Sequence, residues 1–191
     1  MSSRIHGLFF LVLVMALTAA PAAAKEKKKA KGESLGDITK EVKTSITKGD
    51  SSTVKAALAR AMQVRPRYQD KQLKSLVSAV GAGVKHKQPE IAIASIQALE
   101  SMKVRGSGKQ LSAALTVPKK LEDNRVDVHL AAIRAAGTIA DKESAKPLEK
   151  LIFCTDARIA VAAAEALAGF GGGLDAAPVH KLLGQLAGTL D

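Results

Sequence analysis

VHLAAIRAAGTI, residues 128–139, is the stretch from which the fold of this chain can be read. Apolar or small residues stand at Val128, Ala131, Ala132, Ala135, Ala136 and Ile139. That spacing, i, i+3, i+4, i+7, i+8, i+11, is one stripe of a 3.6-period helix. The stripe is mostly alanine, so a neighbouring backbone can approach to the short end of the usual interaxial range, about 8 Å, before side chains collide.

The stripe recurs as Val54, Ala57, Leu58, Ala61, Met62; as Ile91, Ala94, Ser95, Ala98, Leu99, Met102; and as Ile159, Ala162, Ala163, Ala166, Leu167, Phe170. Its first positions, 54, 91, 128 and 159, are separated by 37, 37 and 31 residues. A leucine-rich segment follows each copy, beginning at Leu73, Leu111, Leu148 and Val179, with steps of 38, 37 and 31. Pro147 and Pro178 lie 31 apart, each expected just inside a helix start, where a missing N–H costs nothing. A helix pair of this length cannot bury its apolar face alone, whereas pairs stacked along one axis share a continuous core. The expectation is an all-α fold, an α-solenoid of stacked antiparallel helix pairs, over residues 34–191.

In RVDVHLAAIRAAGTIADKESAKPLEKLI and ARIAVAAAEALAGFGGGLDAAPVHKLL the chain resembles the HEAT-like repeat family, in the short form that also occurs in phycobilin lyases. The resemblance covers residues 51–187 and is closest in the last two units. It departs from the family after the first stripe position, where arginine is usual but Lys55, Ala92, His129 and Ala160 stand here, so no recurrent arginine ladder is expected there.

Ahead of the repeats, residues 1–24 read as a signal peptide: Arg4 gives a positive start, LFFLVLVMAL a short apolar run, and Ala22, Ala23 and Ala24 small residues for cleavage. The run falls short of the roughly 20 residues of a spanning helix, no second one follows, and no transmembrane span is expected in the mature chain. The expected location is exported, periplasmic or extracellular. Residues 25–33 read as a basic flexible tail, whose Lys25, Lys27, Lys28, Lys29 and Lys31 could tether an anionic surface. Ser34 with Asp37 forms a capping-box start for a helix carrying Leu35, Ile38, Val42 and Ile46. Pro66 ends the first striped helix, and Pro118 ends a leucine-rich helix that begins near Lys109.

The 29 Lys and Arg against 18 Asp and Glu give a charge of +11. Residues 32–120 hold 16 basic and 7 acidic residues, and residues 121–191 hold 7 and 10, so the basic excess lies on the first units. Cys154 is the single cysteine, which excludes an internal disulfide and is expected buried and inert. His86, His129 and His180 have no second ligand at helical spacing, so no metal site and no cofactor is expected. No nucleophile elbow, Walker-type loop or carboxylate pair appears, and no catalytic residue is assigned.

Two functions remain. The first is an exported, non-enzymatic protein–protein interaction module or scaffold. The alternative is an enzyme or enzyme subunit, lyase-like or acting on nucleic acid, that uses the basic N-terminal units to hold an anionic ligand. For the first, the resemblance implies that the striped helix of each pair lines the concave surface. Positions i+2, i+5 and i+6 then look away from the stripe, and the two middle units supply Ile93, Ile96, Gln97, Leu130, Ile133 and Arg134 as the expected partner-binding strip.

Overall fold

The computed structural model describes residues 34–117 and 123–170, with the side chains of Asp123 and Asn124 excepted. The expected signal peptide, the lysine tail, Pro118, and the final helix with Pro178 and His180 lie outside the described residues. Among the described residues there are eight α-helices and no strand. The protein is all-α over that span.

Helix α1, Leu35–Lys48, starts with the expected capping box: Ser34 Oγ accepts from the Asp37 N–H at 3.2 Å, and Asp37 Oδ2 accepts from the Ser34 N–H at 3.2 Å. It stops at Gly49, whose φ of 71° is the left-handed cap that glycine adopts freely. Asp50 immediately caps α2, Ser51–Val64, by accepting from the Thr53 N–H at 3.0 Å. A connection this short folds two helices into a hairpin. Pro66 then lies in a single 3-10 turn, Arg65–Arg67, and the helix ends there as expected.

Helices α3, Lys74–Val84, and α4, Pro89–Met102, follow. Next come α5, Gly108–Leu111; α6, Asp123–Ile139; α7, Lys142–Leu151; and α8, Ala157–Ala168. Two expectations are corrected here. The helix expected from Lys109 to Pro118 is one turn that closes at Leu111, well before the proline. Ser112 Oγ donates to the Lys109 carbonyl at 2.7 Å, competing for the acceptor that a continuing helix would use. Pro147, expected just inside a helix start, lies in the interior of α7. That helix starts at Lys142 because Asp141 caps it, so the proline removes one backbone bond from its second turn.

The striped helices pack successively, α2 on α4, α4 on α6 and α6 on α8. The leucine-bearing helices do the same, α1 on α3, α3 on α5 and α5 on α7, and each also packs on the striped helix that follows it. The stripe supplies the core: Val54, Ile91, Val128 and Ile159 are buried, as are Ala57, Ala132 and Ala163. Leu73, Leu76, Leu111, Leu148 and Leu151 meet them from the other row. All belong to one continuous cluster.

Polar side chains tie one unit to the next. Asp70 accepts from the Arg105 N–H at 3.3 Å, and Asp141 accepts from the Gly106 N–H at 2.7 Å, so the turn after α4 is gripped from both sides. Arg65 Nε donates to the Met102 carbonyl at 2.7 Å, and Arg125 Nη1 to the His86 carbonyl at 3.1 Å. Arg65 and Arg125 thus each reach across to the backbone of another helix pair.

Candidate functional site

Residues are 100° apart on a helical wheel, so positions two and six after the start of each stripe leave the core side. Four of these positions, Ile93 on α4, Leu130 and Arg134 on α6 and Glu165 on α8, border an open groove of about 820 Å³. Ile93 and Leu130, both half-buried, form apolar wall, and Ala131, Ala162 and Ala166 form floor. Asp127, Arg134, Thr138 and Glu165 stand on the rim. At Gly137 the helices α6 and α8 come very close: a Cβ there would lie 3.1 Å from both Cα and Cβ of Ala166. Glycine is what permits that approach.

The expected strip divides into three parts. Ile93, Leu130 and Arg134 line the groove. Ile96 and Ile133 are core, exposed by 0% and 1%, because the i+5 side of a striped helix is covered by the next striped helix in the row. Ile133 touches the groove only from beneath. Gln97 is exposed but does not line it. Asp127 and the alanines of the groove are not among the residues that the sequence pattern singles out for binding. Ala162 and Ala166 carry the stripe spacing that marks core, yet both are half-buried. Asp127, immediately before the stripe, belongs to no motif visible in the sequence.

The charges of the rim are unequally engaged. Arg134 Nε lies 3.8 Å from Glu100 Oε1, which also accepts from Thr138 Oγ1 at 3.0 Å. Asp127 and Glu165 have no ion or hydrogen-bond partner for their carboxylates among the described residues. A rim in a strongly basic protein thus presents two uncompensated negative charges.

Two other concavities contrast with it. A cleft of about 400 Å³ beside α1 mixes Lys40 and Lys48 with Asp37 and Glu41, so the basic excess of the first units does not gather into a uniform cationic site there. A smaller pocket of about 160 Å³ holds His129, Arg125, Lys85 and Thr116. His129 is half-buried, and its Nδ1 has no partner among the described residues. Burial lowers its pKa below the ordinary 6.5; the Ala114 carbonyl opposes this and the Arg125 charge adds to it. Among the described residues that line that pocket there is no carboxylate or thiol to complete an acid–base pair with the ring.

His86 Nδ1 accepts from the Gln88 N–H at 3.2 Å, a satisfied histidine. Cys154, expected buried, is a half-buried free thiol. Among the described residues no group of three or more His, Cys, Asp or Glu could hold a metal ion, and no helix is long and apolar enough to cross a membrane. Compared with models of known protein families and with curated protein sequences, the chain matches none.

Proposed function

We propose that the chain is an exported, non-enzymatic interaction module built as a HEAT-like α-solenoid, and that it binds a protein partner in the groove across α4, α6 and α8. The two rows of successively packed helices support the solenoid, together with the 37-residue step shared by the first three stripes. The leader-like residues 1–24 support export.

The observation that carries the binding role is the groove itself, an apolar concavity of about 820 Å³ with a polar rim on the row of striped helices. Apolar surface of this kind, bordered by polar groups, marks interaction sites. The test is affinity capture from the envelope fraction with wild-type protein and Leu130→Asp, each checked by circular dichroism. Loss of one captured protein with unchanged helicity and melting supports the groove. Equal capture by both proteins overturns it. Intact mass of the exported chain tests cleavage after Ala24, and a retained leader would overturn the proposed compartment.

A further inference from the structure

We infer that the groove accepts a helical peptide segment whose bulky apolar side chains are flanked by lysine or arginine. The inference rests on the groove as a protein-binding site and names the chemistry of its partner. Two features of the structure carry it, the small residues of the groove and the sign of the unengaged charge.

Ala131, Ala162, Ala166 and Gly137 contribute almost no side-chain volume to the floor, while Ile93 and Leu130 rise at the side. Small residues beside larger ones leave room, so the groove suits large apolar side chains supplied from outside. The groove runs along α6 from Asp127 to Thr138. Eleven residues of helix rise about 16 Å, the length of about three turns of a partner helix. An amphipathic helix reads such a groove with apolar anchors at i, i+3, i+4 and i+7.

The charge follows from which rim groups are already engaged. Glu100 faces the Arg134 guanidinium, and Thr138 orients the same carboxylate. Asp127 and Glu165 are left facing outward with no counterion among the described residues. Asp127 precedes Arg134 by seven residues, two helical turns or about 10 Å, and Glu165 holds in its stripe the place that Arg134 holds in the preceding one. A cation near each end of a short apolar segment would meet one carboxylate each. An acidic segment would meet two like charges, which disfavours it.

The experiment uses the mature chain and two labelled peptides of about 14 residues, one of leucine and lysine in a helical pattern, the other with glutamate for each lysine. Fluorescence anisotropy is measured with wild type, with Asp127→Asn/Glu165→Gln and with Asp127→Lys/Glu165→Lys, after melting curves establish that all three fold. The leucine–lysine peptide should bind wild type, weaken about ten-fold on neutralisation and further on reversal, and the glutamate peptide should bind only the reversed variant. Equal binding of both peptides to wild type, lost with Leu130→Asp, would keep the groove and overturn its charge preference. Binding of neither peptide would overturn groove and preference together. Concentration-dependent dimerisation of wild type that vanishes in the reversed variant would make the occupant a second copy and overturn a separate partner.

Discussion

The striped row and the leucine row carry out the same task, burying one continuous core, but meet different standards of regularity. The striped helices α2, α4, α6 and α8 run 14, 14, 17 and 12 residues. In the leucine row α3 and α7 have 11 and 10 residues, and α5 between them has 4. A row joined through alanine and glycine needs long, straight contact, since each close approach contributes little alone. The other row inserts large side chains into gaps, and a single turn is enough when Leu111 at its end and Leu115 in the segment after it are 0% and 1% exposed. Around that turn the backbone is secured by carboxylates instead: Asp141 reaches Gly106, and Asp70 reaches Arg105. Repetition is therefore strict where backbones touch and loose where side chains fill.

The largest expected effect tests whether α5 belongs to the core on equal terms. Leu111→Ala and Leu148→Ala, the latter in the longer α7, should each cost about 2–5 kcal/mol, because both side chains are fully buried. Denaturant melts of the two variants decide this. A small loss at Leu111 beside a large one at Leu148 would mean that the short turn only lies against the core.

The close packing of the other row is tested by adding volume. Ala132→Leu should overpack the stripe and cost about 1–3 kcal/mol, since Ala132 is 0% exposed in the middle of α6. A silent substitution, read in the same melts, would show slack between α6 and its neighbours and end the distinction between the rows.

How much of this was legible depends on whether one residue or a context set each feature. The stripe spacings located all four striped helices, and Ser34 with Asp37 located the first cap, because periodicity and capping are local. The i+5 positions were not legible: Ile96 and Ile133 look away from the stripe, and only the neighbouring helix decides that they are covered. Ser95 shows the same limit. Its stripe place correctly buries it, but nothing in the spacing tells that its Oγ lacks a partner against Gly83. The ends of α4 and α6 were hidden for another reason. Lys103 and Ala140, 37 residues apart, hold the left-handed caps with φ of 46° and 51°, at positions where glycine would be the readable signal. Ala140→Gly should relieve that strain and stabilise the protein by about 1 kcal/mol, visible as a raised melting temperature. A lowered melting temperature would mean that unfolded-chain entropy outweighs the relief and that this end of the striped row is not strained.

The smallest effect concerns pH and lies where the two rows meet. His129 on α6 faces the turn after α5, in the pocket it shares with Arg125 and Lys85. Burial lowers its pKa below 6.5, and protonating the ring would put a second N–H on a buried edge where Nδ1 has no acceptor. Between the lowered folded value and the ordinary unfolded one, the unfolded chain binds more protons, so stability rises with pH across that window and falls on acidification through 6.5. His129→Gln should flatten this slope without changing the loss in a more acid window. That second loss comes from the helix caps: Asp37 is lowered by its Ser34 bond, Asp50 by the Thr53 N–H and Asp156 by Arg158. Their contribution is present above 3.8 and fades as pH falls below it. Urea melts from pH 7.5 down to about 3 separate the two windows. An unchanged slope in His129→Gln would show that the ring is hydrated in solution and that the two rows do not close over it.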